Sequence, residues 1–177
     1  SLQQAVQVML DPADCGPACI SLSQDVQGEV CDYPEEFFKE RIHTIRRSRP
    51  DDFQIKEAAE LIKRSKKPII ISGGGVFYSD ATDELSIFAQ KHNIPVTQTV
   101  MGYSTMKKDH SHYLGVIGAL GGKAANNLSK ETDTAIAVGT KLGDFTTGSW
   151  ANFENPDFKL VSINTARFDA NKHMAQA

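Results

Sequence analysis

Gly73, Gly74 and Gly75 stand in a row directly after Ile69-Ile70-Ile71-Ser72, a β-branched run opened by Pro68. Bare residues at the end of a strand let backbone N–H groups approach a phosphate, and a helix that follows adds its dipole. A tight turn where helix and strand approach closely needs glycine equally, so these residues leave both readings open. The dinucleotide fingerprint is G-x-G-x-x-G, with an acid about twenty positions on. Here Val76, Phe77 and Tyr78 follow the glycines, so the third fingerprint glycine is missing. The next strand ends Thr97-Gln98-Thr99-Val100-Met101-Gly102, with no acid at its tip. Both departures count against a standard nicotinamide dinucleotide site.

A second polar edge is Gly139–Trp150, which offers the hydroxyls of Thr140, Thr146 and Thr147, the cation Lys141 and the acid Asp144. It reads as a ligand rim or as an ordinary connecting loop. His110 and His112 could ligate a metal, but no third ligand accompanies them, and a pair of exposed loop histidines is the favoured reading. Cys15 and Cys19 lie four apart with no second pair, so they read as ordinary buried thiols rather than zinc ligands. Arg41, Arg46, Arg47 and Arg49 read as the solvated face of a linker, because no aromatic platform or recognition helix accompanies them. No nucleophile elbow, phosphate-binding P-loop or His-Glu metal helix occurs.

The elements that must carry these residues follow from periodicity. Residues 2–10 place Leu2, Ala5, Val6 and Met9 on one helical face, stopped by Asp11-Pro12. Residues 16–23 read as a short buried strand, and 28–50 as a linker. From Asp51 the pattern changes. Asp51 and Gln54 form a capping box, and Ile55, Ala58, Ala59 and Ile62 make a helical stripe. Lys63, Arg64, Lys66 and Lys67 crowd the end, where the helix dipole favours cations. Ser79 or Asp80 is the expected cap of the next helix, with Ala81, Leu85, Phe88 and Ala89 facing the core and Asn93 ending it. Strands are expected in 94–100, 113–118, 134–140 and 159–166, and helices near 52–66, 79–92 and 122–131. Strand, glycine turn, helix and strand within about thirty residues make a right-handed, parallel βαβ unit. Residues 51–177 are therefore expected to form an α/β fold, a doubly wound, mostly parallel Rossmann-like sheet.

Composition narrows the function classes. The 177 residues are 40% hydrophobic and 23% charged, which is ordinary for a soluble globular chain. A net charge of −3 gives no global attraction to nucleic acid or an anionic membrane. No apolar run reaches bilayer-spanning length. The three cysteines, an odd number without a framework, fit a reducing cytoplasm. The chain opens in mid-helix without a basic leader or initiator Met, so it reads as a piece of something longer.

Four stretches together resemble the central domain of thiamine-diphosphate enzymes of the acetolactate synthase type: "LIKRSKKPIIISGGGV", "ELSIFAQKHNIPVTQTVMGYSTMKKDHSHYLGVIG", "AANNLSKETDTAIAVGTKLGDFTTG" and "FKLVSINTARFDANKH". "GPACISLSQDVQ" is similar to the last strand of that family's pyrimidine-binding domain, and residues 1–12 to its last helix. The resemblance implies that 1–27 is a helix–strand remnant of that domain, 28–50 a linker and 51–177 the central domain, truncated at its C-terminal end. "DVQGEVCDYPEEFFKERIHTIRRSRP" and "INTARFDANKH" are similar to the branch that hydrolyses a carbon–carbon bond of a six-membered cyclic dione in inositol catabolism, giving a 5-deoxy-glucuronate.

The resemblance further implies thiamine diphosphate and Mg²⁺ in the parent enzyme, with an upstream glutamate that activates the aminopyrimidine and a downstream Gly-Asp-Gly that holds Mg²⁺ and the diphosphate, a motif absent here. No catalytic residue is then expected in this stretch. Its partners are the remaining domains of a dimeric or tetrameric enzyme, and it is expected to be inactive alone. Flavin-binding members use the glycine turn and the loop after the "AVGT" strand. Phe145 stands where they carry an arginine and Asn164 where they carry an aspartate, which counts against FAD. Gly73, Gly74, Gly75, Val76, Thr140, Lys141, Asp144 and Asn164 are thus expected to line a nucleotide pocket, either vestigial or still able to bind. Two alternatives are an FAD-binding, acetolactate synthase-like lyase and, from another class, a free-standing nucleotide-binding module.

Overall fold

The computed structural model describes residues 1–177, which divide into two compact units, Ser1–Ser48 and Arg49–Ala177. The first unit holds helix α1 (Leu2–Leu10) and two 3-10 turns, Val26–Gly28 and Glu35–Phe38. None of its side chains is fully buried. The rings of Tyr33 and Phe37 (centroids 5.1 Å apart) and of Phe37 and Phe38 (5.3 Å apart) form its one aromatic cluster. The buried strand expected at 16–23 does not form. That segment is irregular, Ile20 and Leu22 are exposed, and so are Cys15 and Cys19, which the sequence reads as buried thiols, because no strand forms here to cover them. A strand exists only against a ladder partner, and this unit supplies none.

The second unit begins as the sequence predicts. Helix α2 (Asp52–Arg64) opens with a capping box, in which Asp51 accepts from the Gln54 N–H at 2.8 Å and Gln54 accepts from the Asp51 N–H at 3.3 Å. Ala58, Leu61 and Ile62 pack on the core, whereas Ile55 at the head of the expected stripe is exposed. The five strands are β1 (Pro68–Ser72), β2 (Val96–Gln98), β3 (Tyr113–Val116), β4 (Thr134–Val138) and β5 (Lys159–Ile163). They are parallel throughout, in the order β3-β2-β1-β4-β5. The doubly wound α/β sheet expected from the sequence is therefore present.

Both faces of β1 are covered, which is why it reads as an unbroken apolar run rather than an alternation. Ile70 packs with Leu85, Ala89, Val96 and Val161 on one face. Ile69 and Ile71 pack with Ile117, Ala125 and Leu160 on the other. Pro68 sits at the first residue of the strand, where its missing N–H breaks no interior ladder.

Between β1 and β2 the chain forms two helices instead of one. Helix α3 (Gly74–Tyr78) starts immediately at the glycines, and α4 runs from Thr82 to His92. Neither Ser79 nor Asp80 caps α4. The Ser79 N–H donates to Gly75 O at 3.0 Å and the Asp80 N–H to Phe77 O at 3.0 Å, so both residues close α3. Asp80 then turns the chain at φ +54°, and Ala81 precedes α4 without a side-chain cap. Asn93 ends α4 in the left-handed conformation (φ 52°), as its residue type predicts. In α4, Leu85 and Ala89 are buried while Phe88 is partly exposed. Helix α5 (Lys123–Glu131) links β3 to β4. The short α6 (Asp144–Thr147) follows β4, and α7 (Arg167–Asn171) follows β5.

Candidate functional site

The strand order reverses between β1 and β4, and the crevice beyond the carboxyl ends at such a point is where open α/β sheets bind ligands. Here the glycine turn meets the turn after β4. The Gly73 N–H donates to Val138 O at 2.8 Å, the Gly75 N–H to Gly139 O at 2.9 Å, and the Val76 N–H to Gly73 O at 3.1 Å. Three amides that a phosphate would need are thus committed inside the protein. A Cβ added at Gly75 would stand 2.6 Å from the Gly139 Cα, and one at Gly73 would stand 2.6 Å from the Thr140 Cβ. The seam is backbone against backbone, and glycine is what permits it.

The remaining residues of the expected pocket divide. Thr140 and Asn164 join the seam. The Asn164 Nδ2 donates to Thr140 O at 3.1 Å, and its Oδ1 accepts from the Ala166 N–H at 3.0 Å. The Thr140 hydroxyl accepts from the Leu142 N–H at 3.3 Å. Both side chains are occupied in shaping the loops. Lys141 points outward and pairs with Asp169 of α7 at 3.6 Å. Asp144 opens α6, where its carbonyl accepts from the Ser149 N–H at 3.1 Å. Val76 is buried in the core under the sheet.

Outside the seam, the carboxyl edge carries apolar side chains in solvent. Phe77 and Tyr78 follow β1, Val100, Met101 and Tyr103 follow β2, Leu120 follows β3, Phe145 follows β4 and Phe168 follows β5. All are exposed.

The amino edge is built differently. Asp133, between α5 and β4, accepts from the Ser65 hydroxyl, from the Lys66 N–H at 2.7 Å and from the Lys67 N–H at 3.2 Å. Burial pushes its carboxyl up, but the Ser65 hydroxyl and these two amides outweigh it and hold the group below the usual aspartate range. Lys67 pairs with Glu131 at 2.9 Å. His112, just before β3, contacts the Asn93 side chain at 2.8 Å. No group of three or more His, Cys, Asp or Glu residues is arranged to hold a metal ion.

Sequence reasoning missed a buried polar cluster at the carboxyl ends of β1 and β2. The Ser72 and Thr105 hydroxyls lie 2.7 Å apart, and Gln98 Nε2 donates to Thr105 Oγ1 at 3.2 Å and to Met106 O at 3.1 Å. The signal was the polar run Thr97-Gln98-Thr99 inside an apolar strand.

A family model for the thiamine pyrophosphate enzyme central domain matches residues 55–177. The chain belongs to that family. Among curated relatives, proteins named 3D-(3,5/4)-trihydroxycyclohexane-1,2-dione hydrolase match closely along almost its whole length. One from Clostridium botulinum is 49% identical over 168 residues, which is 95% of this chain and 26% of the relative. One from Clostridium perfringens is 46% identical over the same shares. One from Bacillus cereus is 46% identical over 169 residues, 96% of this chain and 26% of the relative. The chain thus spans about a quarter of the length of these relatives.

The cofactor that names the thiamine pyrophosphate enzyme family does not fit the residues of this central domain. Its diphosphate would need free donors and, with a metal, convergent acids. The Gly73, Gly75 and Val76 amides are committed, Lys141 is paired, and no acidic cluster is present. Asn164 and Phe145 are both engaged within the domain. Asn164 already satisfies backbone groups, and the Phe145 carbonyl accepts from the Ala119 N–H at 2.7 Å.

Proposed function

We propose that this chain serves as the central domain of a thiamine-diphosphate-dependent hydrolase that opens the ring of trihydroxycyclohexane-1,2-dione. The observation that carries this reading is the near-half identity, over almost the whole chain, to relatives bearing that name. On this reading the substrate is drawn from inositol breakdown and the product is a 5-deoxy-glucuronate. The role of the chain is structural, and it has no turnover alone. Thiamine diphosphate and Mg²⁺ belong to other parts of the enzyme, and no flavin is held at the carboxyl edge.

The partners are those other parts, in a dimeric or tetrameric cytoplasmic enzyme. Three features support this. The relatives are far longer than this chain, the glycine seam is closed by its own backbone, and the loops around that seam present apolar side chains to solvent. No helix is long and apolar enough to cross a membrane.

The test is a chimera. The 177-residue sequence replaces the matching segment of the Clostridium botulinum relative, and ring opening is followed by loss of the dione. Restored, thiamine-dependent turnover with no flavin absorbance supports the reading. A folded chimera that carries flavin and forms acetolactate from pyruvate replaces it with the lyase reading.

A further inference from the structure

Two cavities open near the two ends of the sheet, and their linings differ in kind. The one at the amino edge, about 320 Å³, mixes Lys66 and Lys67 with Glu131 and Asp133, so its charges largely answer one another. The other, about 220 Å³, lies where β2 ends and is lined by Gln98, Tyr103, Ser104, Met106, Lys107 and Lys108. None of these side chains is acidic, and two are ammonium groups. Lys108 Nζ sits 5.1 Å from the centre of the Tyr103 ring. The phenol beside it favours the charged form of the lysine.

Gln98 supplies an independent observation. Its side chain is 1% exposed. Its Nε2 donates to the Met106 carbonyl, which only accepts, so the orientation of the carboxamide is fixed. Both bonds made by the side chain use that nitrogen, and Oε1 receives no donor from the protein. No sealed-in polar atom of the protein lacks a partner. The Oε1 therefore reaches open space, and the space that Gln98 lines is this cavity. An acceptor fixed by two bonds at the wall of that cavity is placed to take a donor from a ligand.

We propose that this cavity binds a small polyhydroxylated anion, a sugar acid or a sugar phosphate. A ligand hydroxyl donates to Gln98 Oε1, and the anionic group sits on Lys107 and Lys108. The ring face of Tyr103 and the Met106 side chain give the carbon skeleton its apolar walls. The volume suits a six-carbon chain and excludes a dinucleotide. The proposal does not rest on the hydrolase reading, because it is argued from the lining of this cavity and not from the identity to relatives.

The test is amide-detected NMR on the 177-residue chain, with gluconate, glucose 6-phosphate, glucose and propionate as probes. Gluconate or glucose 6-phosphate should shift the Gln98 side-chain amide and the Ser104–Lys108 backbone signals saturably, and the better of the two identifies the anionic group. Glucose lacks the charge and propionate lacks the hydroxyls, so each should bind at least tenfold more weakly. The double substitution Lys107→Gln, Lys108→Gln changes only exposed side chains. It should weaken the anions tenfold or more while leaving the remaining spectrum in place. The proposal is overturned if no probe saturates at millimolar concentration, if propionate matches gluconate, or if the shifts spread over all surface lysines.

Discussion

The carboxyl and amino edges of the sheet solve opposite problems. At the amino edge several charged groups meet partners from the same domain. Asp133 ties the end of α2 to the start of β1, Lys67 meets Glu131, and Lys130 meets Glu154 at 2.7 Å. At the carboxyl edge the backbone closes on itself through glycines, and Met101, Phe145 and Phe168 are left in solvent. The first edge is finished as it stands. The second is finished only in its backbone, and its apolar side chains lack the cover that large exposed apolar patches ordinarily have. At that edge the glycine turn and the β4 turn meet backbone to backbone, and the surface around them stays apolar.

The sharpest way to break the contrast is to open the seam. Gly73→Ala and Gly75→Ala each place a Cβ within 2.6 Å of an atom of the β4 turn, at Thr140 and Gly139 respectively. Neighbours that belong to backbone or sit directly on it yield poorly, so each substitution should cost about 3 kcal/mol or more in denaturant unfolding. Gly74 does not have a positive φ, and its added Cβ would meet Met101 O at 2.9 Å. Gly74→Ala should cost less, about 1 kcal/mol. If all three are neutral, the crevice is open and the closed-seam account fails.

The amino edge should respond next, and through pH. Asp133→Asn replaces an accepting carboxylate that takes bonds from Ser65, Lys66 and Lys67. The expected loss is about 1–2 kcal/mol, the range for charge-assisted bonds at a partly exposed site. The folded carboxyl is held below its unfolded value. Its contribution is therefore fully present above the ordinary aspartate range and is lost as pH falls through the folded value. Denaturation midpoints of wild type and Asp133→Asn should differ at neutral pH and converge as the pH falls below the ordinary aspartate range. A constant gap over that span would mean that the carboxylate charge contributes nothing.

How much of this was legible in the sequence depends on how local each cause is. The β1 strand announced itself through Pro68 and three isoleucines, α2 through Asp51 and Gln54, and the end of α4 through Asn93, because each signal acts within a few residues. Asp133 gave no such signal, since the Ser65 hydroxyl it binds lies 68 residues earlier. The split of one expected helix into α3 and α4 was hidden for another reason. Ser79 and Asp80 are good caps by type, yet the hydrogen bonds closing α3 claimed their backbone first. The strand expected at 16–23 failed because a strand is a property of a pair. The glycine turn was legible as a close approach, but not what approached it. Gly139, which meets Gly75, belongs to a different strand connection and takes φ 59° only once the sheet is assembled. Gln98 was visible as a polar residue in an apolar strand, and only the fold shows that its oxygen has no donor.

The smallest effect in the chain alone is the one that most sharpens the contrast. Met101, Phe145 and Phe168 are 78%, 72% and 78% exposed, so they bury little area whose loss would destabilise this domain. Met101→Gln, Phe145→Ser and Phe168→Ser should each shift the stability of the chain by no more than about 0.5 kcal/mol, as surface changes do. In the hydrolase chimera the same triple substitution should behave differently. If other parts of the enzyme cover that edge, three apolar side chains are removed from an interface, and anchors of that type carry most of an interface's energy. Subunit association or domain docking, read by analytical ultracentrifugation and limited proteolysis, should then weaken while the unfolding midpoint of the isolated chain stays put. A large loss in the isolated chain would make the apolar edge part of this domain's own core. No loss in the chimera would leave that edge bare in the enzyme, and the two edges would then differ in composition without differing in role.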